Sequence, residues 1–438
     1  MIHGSLWNKI ILFAMPLALS SILQQLFNSA DVAVVGRFAG KDALAAVGAN
    51  VANVAVFVNL LVGMSIGPNV IISNLIGHGK RKEVPKVVGT SMCSALVIGL
   101  IFLVLIQILA GPLMVWSAVP EDVRDLAEIY LRIYMLGLPF MMIYNFGAAV
   151  LRSVGNTRTP LLYMTLAGVV NLILNIGFVV GASMGVAGVA LATVLSNILS
   201  AVLVLRHLWV DSSIVQMRKE FLRIDSYYMK KILLTGLPAG IQSSVFSLSN
   251  MFIQTGINHF GSAIIAGAAA GLNFEYFTYD IVLAFASANV TFYGQNYGAG
   301  ETARSHRVFY LSMGLGALFT GILSGIFMIW AVPLTMIYST DPVVIDYAIR
   351  RMTHVMSLEP LCVLFEMPAA ALRAMNYSIL PSVITILGTV VFRIVWMLTI
   401  FKKVGTYEIL MDVYPVSWVV TGVMLLVAYY VVRGRREV

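Results

Sequence analysis

Long runs of apolar residues, separated by short polar segments, extend from one end of the chain to the other. A helix needs about 20 mainly apolar residues to cross a hydrocarbon core of about 30 Å. Each run must be helical, because an open strand in lipid leaves its backbone polar groups unsatisfied. The pattern predicts twelve spans, at approximately residues 10–36, 43–76, 87–116, 126–150, 160–182, 187–209, 231–258, 263–296, 306–337, 344–372, 382–401 and 413–432.

The chain also repeats itself, at an offset of 221 in the sequence numbering. Only 14 prolines are present, so several proline pairs in one register are not expected by chance. The matches are Pro112 with Pro333, Pro139 with Pro360, Pro160 with Pro381, Leu151-Arg152 with Leu372-Arg373, and, one position out of register, Pro16 with Pro238. The chain is therefore built from two related halves.

Each half contains six spans, an even number, so both halves enter the membrane in the same direction. This predicts a parallel repeat about an axis along the membrane normal, with a substrate cavity between two six-helix bundles. The predicted domains are an N-terminal lobe, 1–210, with spans 1 to 6, and a C-terminal lobe, 230–438, with spans 7 to 12. The hydrophilic stretch 211–229 is predicted to be a cytoplasmic linker.

Composition and charge agree with this interpretation. Of the 438 residues 59% are hydrophobic and 11% are charged, and the mean hydropathy is +0.90, which excludes a single soluble domain. The net charge of +8 indicates contact with an anionic leaflet and not with nucleic acid, because the basic residues lie in short loops between spans. With a cytoplasmic N-terminus, 19 of the 28 Lys and Arg fall on the cytoplasmic side. Both termini are therefore predicted to be cytoplasmic.

One face of span 1 carries an ionisable group, which is costly inside a membrane and usually faces a cavity or a partner. Gln24, Asn28 and Asp31 are spaced i, i+4 and i+7, so they share this face. The functional interpretation is a cation or proton site at Asp31. The alternative is that Asp31 lies near the outer end of the span and is simply solvated.

Spans 5 and 6 supply polar residues that match Asp31. Asn171 and Asn175 are one helical turn apart, and Thr193 follows on span 6. Amide and hydroxyl oxygens beside one carboxylate can bind Na⁺, with Asp31 and Asn175 as candidate ligands, or hold a protonated acid by hydrogen bonds. The alternative is that the two Asn only link helices. The repeat counterparts of Asp31, Asn171 and Asn175 are Phe252, Phe392 and Trp396, so the polar set belongs to the first half alone.

The second half has carboxylates of its own. They are Glu275 and Asp280, with Tyr279 and Tyr276 one turn away, and Glu359 and Glu366 of span 10. A carboxylate beside aromatic rings suits a lipophilic cation, through charge and cation–π attraction, and we favour this role for Glu275. For Glu366 and Glu359 a second interpretation is equally open, namely pairing with the buried Arg393 of span 11.

Catalytic signatures are absent from the sequence. There is no Gly-rich phosphate loop and no His-Glu-x-x-His run, so we predict that the chain is not an enzyme and that an ion gradient supplies its energy. An integral-membrane enzyme or receptor is the less favoured alternative.

Several motifs resemble those of the multidrug and toxic compound extrusion (MATE) family of transporters, and the resemblance covers the whole chain. The matching segments are Phe27-Asn-Ser-Ala-Asp31, Gly36-Arg-Phe-Ala-Gly40, Ala43-Leu-Ala-Ala-Val-Gly48, Leu151-Arg-Ser-Val-Gly-Asn-Thr-Arg-Thr-Pro160, Gly185-Val-Ala-Gly-Val-Ala-Leu-Ala-Thr193 and Gln295-Asn-Tyr-Gly-Ala-Gly300. The resemblance implies two six-helix bundles around a central cleft that expel organic cations in exchange for H⁺ or Na⁺, without another cofactor. It also implies a bacterial plasma membrane. The sequence carries no signal for the oligomeric state, so a monomer is the default expectation.

The resemblance assigns a family cation site to Asp31, Asn171, Asn175 and Thr193, and a bend in span 1 to Pro16. Asn175 departs from the pattern, because some DinF-like members have a second Asp there. An acid that the NorM-like branch carries in span 10 falls on Cys362, with Glu366 a turn away. These departures favour a DinF-like or related branch. A lipid-linked oligosaccharide flippase of the same superfamily is the alternative; the mostly acidic intramembrane charges favour lipophilic organic cations as cargo.

Overall fold

The computed structural model describes the backbone of residues 1–117 and 119–437, with side chains as far as Arg435. Within these residues there is no β-strand, and twelve long helical segments follow one another. They are α1 (Leu6–Ala39), α2 (Lys41–Gly77), α3 (Arg81–Trp116), α4 (Glu121–Met135 and Leu138–Ser153), α5 (Arg158–Gly181), α6 (Gly185–Val210), α7 (Ser226–Phe260), α8 (Ser262–Gly298), α9 (Thr302–Ile329), α10 (Pro342–Ala374), α11 (Ile379–Val404) and α12 (Tyr407–Glu437).

Ten of these segments are long and apolar enough to cross a membrane, and the two halves of α4, bent by 43°, add an eleventh. The remaining segment, α8, has 37 residues. It is less apolar than the others because Asn273, Glu275 and Asp280 lie near its middle. The all-α membrane architecture predicted from the sequence is confirmed, and each of the twelve segments coincides with one predicted span.

Several helices depart locally from α-helical geometry. π-Helical turns close α1 at Val35–Ala39 and α5 at Ile176–Gly181, and two more lie in α11 at Ile386–Val391 and Met397–Phe401. In α10 the stretch Met356–Cys362 is a 3₁₀ helix that contains Pro360, whose ring removes a backbone donor. π-Turns are rare and often lie at functional sites; the one in α5 begins directly after Asn175.

The chain divides into two compact units, Leu19–Gly240 and Met1–Ala18 with Ile241–Val438. The division falls inside α1, shortly after Pro16, and inside α7, shortly after Pro238. These prolines are the pair related by the repeat. The α1 backbone is continuously helical through Pro16, and the lobe boundaries at 210 and 230 stay a prediction.

The predicted linker lies against α3 within the unit Leu19–Gly240. The Thr90 hydroxyl donates to the carbonyl of Arg223 at 3.3 Å and accepts from the Asp225 backbone N–H at 3.2 Å. The Tyr228 hydroxyl donates to Glu83. The segment is therefore fixed to α3 through both backbone and side-chain contacts.

Two Gly-xxx-Gly motifs bring α2 and the first part of α7 together in the same unit. Gly63 and Gly67 lie on α2, and Gly236 and Gly240 lie on α7. A Cβ added at Gly63 would lie 2.6 Å from the Cα of Gly240, and one added at Gly67 would lie 2.6 Å from the carbonyl oxygen of Ile232. Small residues permit this approach, which is how helices associate in membranes.

We expect Gly63→Ala to destabilise this unit by about 1–3 kcal/mol, because the new methyl group has no space and the backbones must separate. The melting temperature of the purified protein in detergent measures the effect. Gly48→Ala is the matched control: it lies in the same helix with no atom within 4 Å of the added Cβ, and we expect no loss there. Equal melting temperatures for both variants would show that the close approach does not contribute to stability.

Candidate functional site

A hydrogen-bonded chain of side chains connects α1, α5 and α6. The Asn175 amide donates to the Asp31 carboxylate and, at 3.3 Å, to the Asn171 side-chain oxygen. Asn171 donates to the Thr193 hydroxyl at 3.4 Å, and Thr193 donates to the carbonyl of Val189 at 3.1 Å. The structure thus brings together the four residues that the sequence analysis selected as a cation site.

Burial within this group increases from the carboxylate to the amides. Asp31 is half-buried, whereas Asn171 is 5% exposed and Asn175 is fully buried. Among the described residues, the side-chain oxygen of Asn175 has no hydrogen-bond partner. A buried acceptor without a donor normally requires a partner, and a cation or a proton on Asp31 would provide one after the amide rotates. Asp31 and Asn175 are therefore suitable Na⁺ ligands, with Asn171 and Thr193 as further oxygen donors.

Two tyrosines of α4 belong to the surroundings of this group and were missed in the sequence. Tyr130 and Tyr134 lie within electrostatic range of Asp31, and their ring centroids are 5.7 Å apart. Their i, i+4 spacing in span 4 was the available signal, but a Tyr pair in an apolar helix is ordinary packing until its neighbours are known.

The other polar residues of span 1 are placed differently. Gln24 and Asn28 are exposed and make no hydrogen bond within the described residues. The shared helical face that the spacing predicts is present, but only Asp31 joins the hydrogen-bonded chain. Their role beside the site remains a prediction.

In the second half, Glu275 forms a buried ion pair. Arg351 of α10 donates to its two carboxylate oxygens, through Nε at 2.6 Å and through Nη2 at 2.9 Å. The side chains of Arg351 and Glu275 are 2% and 7% exposed. Nothing in the sequence pattern indicated this partner, and a substrate role for Glu275 stays a prediction.

Two of the three remaining candidate acids of the second half accept hydrogen bonds from hydroxyl groups. The hydroxyl of Thr278 donates to Glu359, and the Tyr279 hydroxyl donates to Glu366 at 2.8 Å. Asp280 is half-buried, without a hydrogen bond or ion pair in the part of the chain the structure describes. The guanidinium group of Arg393 bonds instead to Asn250 and Ser417, so the pairing with Glu359 or Glu366 considered above is not observed.

Comparison with known proteins adds to this geometry. The MatE family model matches the chain twice, over residues 16–177 and 238–398. The chain belongs to the MATE family. The first match begins at Pro16 and the second at Pro238, its repeat counterpart, which confirms the internal repeat read from the prolines. Because this is a family of transporters, the prediction that the chain is not an enzyme is also confirmed.

Relatives match this MATE protein over most of its length. The probable multidrug resistance protein YoeA of Bacillus subtilis is 24% identical over 97% of this chain and 94% of its own. The probable multidrug resistance protein NorM of Thermotoga maritima is 26% identical over 87% and 82%. A crystal structure of MATE in the straight conformation has a TM-score of 0.89 at 20% identity and covers 99% of this chain and 97% of that one.

A second family model, that of the lipid II flippase MurJ, matches residues 117–257. This match covers less of the chain than the two MatE matches, 16–177 and 238–398, do together. The matched region contains the segment that joins the two halves of the chain.

Proposed function

We propose that this MATE protein exports lipophilic organic cations across a bacterial plasma membrane in exchange for H⁺ or Na⁺. The observation that carries the proposal is the hydrogen-bonded chain from Asp31 through Asn175 and Asn171 to Thr193. It places one carboxylate among neutral oxygen and amide groups on three different helices. The relatives named as multidrug resistance proteins support the choice of cargo.

Exchange requires that each ligand differ in affinity between two conformations. When Asp31 is charged and binds no ion, its carboxylate accepts a hydrogen bond from Asn175. A proton or Na⁺ on Asp31 weakens that contact, because the neutralised group is a poorer acceptor than a free carboxylate, and it favours rotation of the amide so that the Asn175 oxygen faces the site. Filling the site therefore changes how α1 is held to α5, and we infer that this difference favours the conformation that releases the drug.

The two coupling ions make different demands on the site. A proton needs Asp31 alone, whereas Na⁺ needs several oxygen ligands. Asp31, Asn171, Asn175 and Thr193 together supply one charged and three neutral oxygens, which suits a monovalent cation as well as a protonated acid. The protein is proposed to act as a monomer in contact with membrane lipid, with both termini in the cytoplasm.

The test is uptake of ethidium into liposomes that contain the purified protein, with a Na⁺ gradient and a pH gradient imposed separately. We expect one of the two gradients to drive uptake at a rate that protein-free liposomes do not match, and that gradient identifies the coupling ion. An ethidium uptake rate that is the same with and without each gradient would overturn the exchange mechanism.

A second candidate function, translocation of a lipid-linked oligosaccharide, is favoured by the match to the MurJ model over residues 117–257. The same liposomes with a fluorescent lipid-linked oligosaccharide in one leaflet distinguish the candidates. Movement of the lipid to the other leaflet without ethidium uptake would replace the export proposal.

A further inference from the structure

Arg393 of α11 is fully buried in the unit that contains α8 to α12. Its Nε donates to the Ser417 hydroxyl at 3.1 Å, and its Nη1 donates to the Asn250 side-chain oxygen at 2.8 Å. The guanidinium carbon lies 5.1 Å from the ring centroid of Phe246 and 4.6 Å from that of Tyr414. All four neighbours are uncharged.

The charge of Arg393 has no counter-ion at contact distance. Among the described residues no carboxylate forms an ion pair with its nitrogen atoms, and the buried Nη2 group has no hydrogen-bond partner. Aromatic rings attract a cation, but they do not take up the remaining N–H donors. A buried charge is normally paired, because removal from water is otherwise very unfavourable.

A second buried arginine, Arg351, lies in the same region and has a carboxylate partner. Arg351 lies on the same tyrosine, with its guanidinium carbon 5.4 Å from the Tyr414 ring centroid. Its Nε and Nη2 groups are both occupied by the two oxygens of Glu275. Arg393 is equally buried and shares an aromatic neighbour, yet its Nη2 group has no carboxylate partner among the described residues.

Two residues that contact Arg393 carry further donors. The Asn250 oxygen accepts from Arg393, so its NH₂ group is left as a donor, and this group has no partner among the described residues. The same holds for the Tyr414 hydroxyl. Guanidinium, amide N–H and phenol groups are all suited to donate to an anion.

The internal repeat relates this cluster to the Asp31 group. Tyr414 is the repeat counterpart of Thr193, and Arg393 is that of Leu172, the neighbour of Asn171. Asn250 is on α7, the repeat counterpart of α1. The equivalent helices therefore carry a carboxylate among neutral groups in the first half and a guanidinium among neutral groups in the second half.

We propose that Arg393, with Asn250 and Tyr414, binds a small inorganic monovalent anion, for which chloride is the probe. The site has the opposite polarity to the cation site at Asp31 and lies in the other half of the repeat. The anion completes the hydrogen bonds of Nη2 and neutralises the buried charge. The binding does not depend on which cargo the protein carries.

The test is thermal unfolding of the full-length protein in detergent, with sodium chloride exchanged for sodium gluconate at constant ionic strength. Gluconate is too large for a buried site, so we expect chloride to raise the melting temperature along a saturating curve. The shift should vanish in Arg393→Gln. It should persist in Arg350→Gln, because Arg350 is exposed and already paired with Asp346 and Glu408.

A wild-type melting temperature that does not respond to chloride would overturn the proposal, as would a shift that survives in Arg393→Gln. If Arg393→Gln does not fold, a measurement on the wild-type protein alone still tests the proposal. Crystals of the wild-type protein grown in bromide should show an anomalous scattering peak beside Nη2 of Arg393. Ordered density for that side chain without the peak would exclude the site.

Discussion

Asp31→Asn should lower gradient-driven ethidium uptake by at least about tenfold, as expected from the typical coupling free energy between linked sites. The substituted amide keeps the size of the carboxylate but can neither take up a proton nor offer a negative charge to Na⁺. Contact with Asn175 can survive as an amide–amide hydrogen bond, so we expect the protein to fold. Initial uptake rates in liposomes, under whichever gradient drives the wild type, measure the effect.

Asp42→Asn is the matched control, because Asp42 lies exposed in the first turn of α2 and outside the hydrogen-bonded chain. We expect its uptake rate to equal that of the wild type. Ethidium binding in detergent, followed by fluorescence anisotropy, should remain in Asp31→Asn, since the loss concerns coupling. Undiminished uptake by Asp31→Asn would remove Asp31 from the mechanism.

Glu275→Gln should destabilise the unit that contains α8 and α10 by about 3–5 kcal/mol, the usual cost of removing one partner of a buried ion pair. Arg351 is fully buried, and its charge would be left without the carboxylate that pairs with it. The melting temperature of the purified protein in detergent measures this change. Replacing both partners, as Glu275→Met with Arg351→Met, should restore much of the stability, because no buried charge then remains.

The control for this pair is Glu408→Gln, which removes the negative charge from the exposed contact with Arg350 at 2.5 Å. Exposed ion pairs contribute about 0–1 kcal/mol, so its melting temperature should hardly change. Transport assays on Glu275→Gln separate the two roles of this residue. If stability were unchanged and ethidium binding were lost, Glu275 would be a substrate ligand and not a structural ion-pair partner.

The residues of the proposed cation site show what the local sequence pattern can predict. Asp31 stands out because a carboxylate in an apolar span is costly, and Asn171 with Asn175 stands out because one turn separates two amides. Helical periodicity alone fixes which of these share a face. Asn175 of α5 contacts Asp31 of α1 although the two residues are 144 apart in the sequence. The family resemblance predicted that these residues belong to one site, whereas the periodicity of a single helix could not.

The acids of the second half show what the local sequence pattern cannot predict, namely the partner of each buried carboxylate. Glu275, Glu359 and Glu366 look alike in sequence, each a carboxylate in an apolar span. The structure gives them an arginine, a threonine and a tyrosine as partners, at separations of 76, 81 and 87 residues. The close contact of Gly63 with Gly240 could not be predicted from the sequence either, because a glycine motif does not specify which helix packs against it.

The sequence by itself determined the membrane class, the twelve spans, the repeat and the N-terminal polar set, because hydropathy, helix length and residue spacing are properties of neighbouring residues. The tertiary structure alone decided which buried charges are paired. It gave Arg351 the carboxylate of Glu275 and left Arg393 among uncharged groups. Whether a charge is satisfied depends on side chains that other helices bring within about 4 Å, and nothing in one helix specifies that distance.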